Sequence, residues 1–178
     1  MLFRSDEDSG EYNVSYLKSM FPENSMALIK GVGRVQGILV KKGNPLEIMG
    51  IEDLTRVRYV NRQRGAGTRL LFDHLLKRNG ISSVQINGYE REAATHMAVA
   101  AAVLSDSADA GMGILSAAHA MKLDFFPVGN EEYDFAVRRC DLNLPIVKAF
   151  ITALQSAKLK DKVSHLGGYT TERCGEIV

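Results

Sequence analysis

Cysteine is scarce: Cys140 and Cys174 are the two in a chain of 178 residues. That is too few for a disulfide framework or a Cys-rich metal site. An excess of one charge sign is also missing. With 22 Lys and Arg against 21 Asp and Glu, the formal net charge is +1, so the basic surplus of a general nucleic-acid binder is absent. No apolar run reaches the roughly 18 residues that a membrane span needs; the longest small-apolar stretch lies around Met97 to Leu104. The opening residues, MLFRSDEDSGEYN, hold no basic n-region and no apolar h-region, so a signal peptide is not expected and the expected location is the cytoplasm. HExxH and GxSxG are absent, and His74, His119 and His165 are scattered. Cys140 lies beside Arg138 and Arg139, which lower a thiol pKa when they face it; a small residue near a strand end is the simpler reading.

What is present is a chain 46% hydrophobic and 24% charged. It is too apolar and too nearly neutral for disorder, and it fits one large domain or two small lobes. The patterns predict a short helix over Val14–Met20, stopped at Phe21-Pro22. Two strands follow, Met26–Val32 and Val35–Val40, parted by Gly33-Arg34. Gly43-Asn44-Pro45 reads as a turn and residues 50–54 as a helical turn.

From Val57 onward, strand and helix alternate. Val57–Val60 reads as a strand and Asn61–Gly67 as a polar loop. Thr68–Lys77 reads as a helix, because Leu71, Phe72, Leu75 and Leu76 share one face, and Asn79-Gly80 ends it. Val84–Ile86 is the next expected strand. A helix from about Ala93 to Leu104 is apolar all round, so burial on several sides is expected. Ala108–Met112, Ile114–Met121 and Leu123–Val128 continue as strand, helix, strand. This order is the signature of a parallel sheet with crossover helices. Glu132–Arg138 reads as a further strand. Asn143 is the expected cap of a helix with Pro145 in its first turn and a stripe of Ile146, Val147, Phe150, Ile151 and Leu154. Lys158–Leu166 is a last helix, ended by Gly167-Gly168. These two helices are expected to return to the N-terminal part.

Three segments fall at the C-terminal ends of consecutive expected strands, the edge at which open parallel sheets bind ligands. The first is Asn61-Arg62-Gln63-Arg64-Gly65-Ala66-Gly67-Thr68-Arg69. Its small residues allow close backbone approach, the helix start offers unpaired N–H donors and partial positive charge, and three arginines add fixed charge. These are the makings of an anion site. It matches neither GxxxxGK[ST] nor GxGxxG, and an ordinary capping loop with solvated arginines remains the alternative. The second is Tyr89 to His96, where Thr95 either caps or donates and His96 either donates or is a satisfied polar residue. The third is Ala108 to Ile114, whose Gly111 and Gly113 serve tight packing or backbone donation. Asp109 reads as structural, pairing with an arginine or capping a helix.

A helix N-terminus contributes about 0.3–1 kcal/mol to an exposed anion and ~2 kcal/mol when partly buried, whereas micromolar binding takes about 8 kcal/mol. Several charge-assisted bonds of about 1.5–3 kcal/mol each must therefore surround the ligand, which a hinged two-lobe clamp achieves.

Tyr59-Val60-Asn61-Arg62-Gln63-Arg64-Gly65-Ala66-Gly67-Thr68-Arg69, Gly88-Tyr89-Glu90-Arg91-Glu92, Thr95-His96, Ala108–Ile114 and Leu166-Gly167-Gly168-Tyr169 together resemble the periplasmic-binding-protein-like family usually called the periplasmic molybdate-binding protein/domain. The resemblance runs from about Ser9 to Val178. It implies an α/β, type II periplasmic-binding-protein-like fold, with residues 55–128 as a second lobe and residues 1–54 and 129–178 as a partial first lobe. No metal site is expected from the Cys and His spacing, and no covalent cofactor is expected. The implied ligand is a small anion, molybdate or tungstate, or a molybdopterin-related precursor of the molybdenum cofactor, bound without catalysis. The candidate contacts are Asn61, Arg62, Arg64, Gly65, Gly67, Thr68, Arg69, Thr95, His96, Gly111 and Gly113. Because members occur fused to molybdopterin-biosynthesis or helix-turn-helix domains, two other roles follow. One is a biosynthetic subunit acting on a phosphorylated pterin, with His96 and Glu90 as its acid–base candidates. The other is the effector domain of a transcriptional regulator, without direct nucleic-acid contact. Family members begin with a further strand–helix–strand–helix segment not seen here, so that Leu2-Phe3 corresponds to the end of an early strand. The expectation is an incomplete first lobe with exposed apolar surface, completed by a homodimer or a second chain.

Overall fold

Local sequence sets most elements, and long-range pairing sets the rest. The computed structural model describes residues 13–178; Leu2-Phe3 and most of the polar start lie outside them. In chain order the elements are α1 (Val14–Met20), β1 (Met26–Val40), β2 (Tyr59–Arg62), α2 (Gly67–Arg78), β3 (Glu92–Ala93), α3 (His96–Leu104), β4 (Ala110–Ile114), α4 (Leu115–Ala120), β5 (Asp124–Arg138), α5 (Pro145–Gln155), α6 (Ala157–Ser164) and β6 (Tyr169–Thr170). They form two compact units. Among the described residues, one holds the chain from Asn13 through Arg34 together with Asn130–Val178, and the other holds Val35–Gly129. The chain passes between the units inside β1 and inside β5. Residues 35–54, assigned to the first lobe from sequence, belong to the second unit by their contacts: Ile48, Ile51 and Leu54 pack in one core with Tyr59 and Phe72.

In the Val35–Gly129 unit, β2 lies between β3 and β4 and runs parallel to both, with Asn61 opposite Glu92 and Tyr59 opposite Ala110. The later half of β1 is antiparallel to β4, Ile38 opposite Met112. Strand alternation sends Ile38, Val40, Tyr59 and Met112 to one face, where α2 supplies Phe72 and Leu76. Leu39 and Val60 go to the other, where α3 and α4 supply Val99, Ala100, Val103 and Ala117. Asp109 is indeed structural. Its carboxylate accepts from the Arg58 backbone N–H at 2.7 Å and from its guanidinium at 2.5 and 3.1 Å, and these bonds hold it below the usual carboxylate range. A depressed carboxylate stabilises the fold above its unfolded pKa and loses that contribution as pH falls through the folded value. Asp109→Asn is therefore expected to flatten the loss of stability below about pH 4, read from urea unfolding at several acid pH values; an unchanged acid limb would refute this.

In the other unit, the early half of β1 pairs with β6, Gly33 opposite Thr170, and with the chain end, where Leu28 and Val178 exchange backbone hydrogen bonds of 3.0 and 2.9 Å. The chain end thus returns to β1 through β6 and Val178. Of the α5 stripe only Leu154 is buried. Phe150 packs edge-on to Phe135, centroids 4.9 Å apart, and Ile146 stands 74% exposed.

Five further sequence expectations are corrected. β1 is continuous through Gly33-Arg34, because Gly33 serves close packing rather than a turn: a Cβ there would lie 2.2 Å from Thr170 Oγ1. Leu123–Val128 and Glu132–Arg138 are likewise parts of one strand, β5. Val84–Ile86 is not a strand. Ser82 and Gln85 form a capping box around a single 3-10 turn, a local pairing that overrides β-branched preference, and the strand beside β2 is β3. Leu144, not Asn143, is the N-cap of α5. Finally, α3 is not buried on several sides. It buries Val99, Ala100 and Val103, while Met97 and Leu104 face solvent.

Candidate functional site

The candidate residues all fall in the Val35–Gly129 unit. Because β3, β2 and β4 are parallel, the helices that follow them, α3, α2 and α4, all start at one sheet edge. Asn61–Arg69, Thr95-His96 and Gly113 are thereby gathered there. Thr95 caps α3, its Oγ1 accepting from the Ala98 N–H at 3.0 Å. Gly113 and His96 are neighbours: a Cβ on Gly113 would sit 3.6 Å from His96 Nδ1.

The three arginines stand in different surroundings. Arg62 spans the two loops, its Nε donating to Ala93 O at 3.2 Å and its Nη2 to Ala94 O at 3.0 Å. Arg69 is buried. Its Nη1 donates to Glu92 Oε1 at 3.1 Å and to Arg62 O at 3.3 Å, and its guanidinium lies 4.3 Å from the Tyr89 ring centroid. Burial opposes its charge, but Tyr89, Asp73 and Glu92 outweigh that and raise its pKa. Tyr89 is fixed in turn by a 2.7 Å bond from its hydroxyl to Asp73 Oδ1. Arg64 is the outlier, with its side chain 76% exposed. Its Nη2 donates to Glu90 Oε2 at 2.9 Å, and its Nε lies 3.7 Å from Glu92 Oε1.

Backbone and small residues divide similarly. Gly65 has φ +83° with nothing within 4 Å of a Cβ, so the turn needs its conformation and leaves space above it. Gly67 opens α2, whose Arg69 N–H already donates to Ala66 O at 2.9 Å, and Thr68 beside Gly67 is buried. Asn61 is buried, with Nδ2 donating to Tyr89 O at 3.2 Å and Oδ1 accepting from the Arg62 N–H at 2.9 Å. It holds the loop's shape. Gly111 makes room for packing, since a Cβ would come 2.5 Å from Val99 Cγ1 and 2.8 Å from Val60 O. Sequence reasoning missed Tyr89, Glu90 and Glu92 as the partners that hold the arginines. The acid–base run Glu90-Arg91-Glu92 was visible, but nothing in spacing ties it to residues 64 and 69. Among the described residues no three His, Cys, Asp or Glu side chains are grouped to hold a metal ion.

Residues 1–155 match the family model described as PBP superfamily domain. That is a coarser match than the molybdate-binding family whose motifs the chain resembles. YvgK of Bacillus subtilis (strain 168) is 38% identical over 175 residues, covering 97% of this chain and 56% of that protein. A Clostridium pasteurianum protein, described as lying in the 5' region of a ferredoxin 2Fe-2S gene, is 33% identical over 110 residues, 61% of this chain and 97% of its own length. The chain thus spans little more than half of the B. subtilis relative. Among solved structures, the ancestral amino acid-binding protein AncCDT-1, a precursor of cyclohexadienyl dehydratase, aligns with TM-score 0.54 at 22% identity over 73% of this chain and 56% of that one. The effector binding domain of QuiR in complex with shikimate gives 0.56 at 18%, over 73% and 64%. A histidine kinase sensor domain similar to periplasmic binding proteins gives 0.56 at 12%, over 79% and 62%. At these identities the likeness is one of fold, and the fold is mixed α/β of the type II periplasmic-binding kind.

Proposed function

The chain belongs to the PBP superfamily domain family, and from that premise we propose that it is a non-enzymatic module that binds a small anionic solute at the edge where α2, α3 and α4 begin. The observation that carries this reading is Arg64: a guanidinium largely in solvent, at an edge where three helix starts converge. Arg62 and Arg69 shape the loop from beneath, and Gly65 leaves its surface open. AncCDT-1 and the QuiR domain are described as binding an amino acid and shikimate, both small molecules, which supports a small-molecule-binding role. The motifs favour molybdate, tungstate or a molybdopterin-related anion as the solute.

The test is calorimetric titration of molybdate, tungstate, sulfate and phosphate into the protein and into Arg64→Ala. At least one anion is expected to bind, and the variant to bind it about 10- to 100-fold more weakly, the worth of one charge-assisted bond. No heat with any of the four, or equal affinity in the variant, would remove the assignment.

A further inference from the structure

Arg64 already holds a carboxylate, that of Glu90, at 2.9 Å. Alignment of β2 with β3 brings the residues entering β3 beside those leaving β2: Asn61 N–H donates to Arg91 O at 2.8 Å and Gln63 N–H to Ala93 O at 3.1 Å. Glu90 and Glu92 therefore face the arginine loop, but they stand differently. Glu92 lies between two guanidiniums, 3.1 Å from Arg69 Nη1 and 3.7 Å from Arg64 Nε. Arg69 is itself buried and bonded to Arg62 O, so Glu92 is part of the support. Glu90 is 69% exposed and meets Arg64 in solvent.

We infer that Glu90 is an internal competitor for the solute: it occupies the Arg64 guanidinium in the unliganded protein and gives it up to the bound anion. This rests on the anion-binding reading and adds a selectivity element to it. An exposed ion pair is weak, so a multivalent oxyanion, offering two acceptor atoms to the planar fork, displaces Glu90 readily. A monovalent ion such as chloride gains less than it must replace. Glu90 would thus bias the site toward multiply charged oxyanions.

The experiment measures the affinity of sulfate and molybdate for the wild type, Glu90→Gln, Arg64→Ala and the double variant, by calorimetry and by NMR titration at high anion concentration. Glu90→Gln is expected to tighten binding by about 2- to 5-fold, the worth of one exposed pair, without moving the urea midpoint of the free protein. It should also raise chloride competition. In the Arg64→Ala background the same substitution is expected to change affinity by less than half that factor. Unchanged or weaker binding in Glu90→Gln overturns the inference, as does an equal gain in both backgrounds, which would assign the effect to lost negative charge rather than to released Arg64. If no anion binds the wild type, or if Arg64→Ala binds as the wild type does, the anion site itself is refuted and this inference falls with it.

Discussion

Lys30→Met is expected to cost about 3–5 kcal/mol of stability, the usual penalty for stripping one partner from a buried ion pair. The Lys30 ammonium is almost wholly buried and donates to Glu132 Oε2 at 2.6 Å and Asp134 Oδ2 at 3.0 Å. Asp134 is just as deep, and it also accepts from Asn13 Nδ2 at 2.8 Å and from the Gly31 N–H at 3.3 Å. Methionine keeps most of the volume, so the loss measures an uncompensated Asp134 charge rather than a cavity. Asp134→Leu in the same chain is expected to restore only part of it: an apolar pair of similar volume rivals a buried salt bridge, but the Asn13 amide and the Gly31 N–H lose their acceptor. Burial opposes the charge on Lys30, but its two carboxylate partners prevail and its pKa is raised. A raised cationic pKa stabilises the fold fully below the unfolded value, about 10.4, and that contribution fades as pH climbs through the folded value. The alkaline limb of the wild-type curve should therefore be steeper than that of Lys30→Met. Urea unfolding from pH 7 to 11 reads both effects. A cost below about 1 kcal/mol at neutral pH, the range of an exposed pair, would show that the cluster is not acting as a buried network.

Gly88→Ala is the second large effect, and it reaches the site. Gly88 has φ +97°, and a Cβ there would stand 2.0 Å from the backbone oxygen of Tyr59. Left-handed strain of about 1–2 kcal/mol adds to an overpacking cost of about 1–3 kcal/mol, and the obstacle is backbone, which cannot rotate away. A loss of about 2–5 kcal/mol is expected. The contrast is Gly65→Ala, where φ is +83° but the space is open, so only the strain of about 1–2 kcal/mol applies. Equal losses in the two variants would refute the close-approach argument. Residues 88–92 also carry Tyr89, Glu90 and Glu92, so the folded fraction of Gly88→Ala should bind anions with altered affinity, and because the obstacle is Tyr59, stacked on Phe72 with ring centroids 4.5 Å apart, its near-ultraviolet signature should change as well.

The readable parts of this chain were those whose signals are local. The α2 face of Phe72 and Leu76 follows from spacing within one helix, and the β-α order from Val57 to Val128 follows from alternating periods. The gathering of Asn61–Arg69 and Gly113 at one edge follows from that order, since parallel strands joined by crossover helices start those helices on the same side, whereas Thr95 and His96 reach it through β3, which the local pattern did not show. Errors arose where a local signal had two physical meanings. Glycine at 33 read as a turn, but it is small because Thr170 lies against it; glycine at 111 read as serving tight packing or backbone donation, and Val99 and Val60 lie against it. Val84 and Ile86 favour a strand in isolation, yet Ser82 and Gln85 close a cap around them.

The sequence by itself determined the α/β class, the helix-start edge and the three-arginine loop. Which arginine faces solvent was settled only by tertiary structure. Arg62, Arg64 and Arg69 are alike in composition and share one loop and helix start. Their roles diverge because Glu90, Glu92 and the carbonyls of Ala93 and Ala94 arrive from 23 to 32 residues away. The same is true of Lys30, whose carboxylate partners lie 102 and 104 residues along the chain. A periodicity extends over a turn or two of helix, whereas a buried charge is stabilised by whatever the completed fold places beside it.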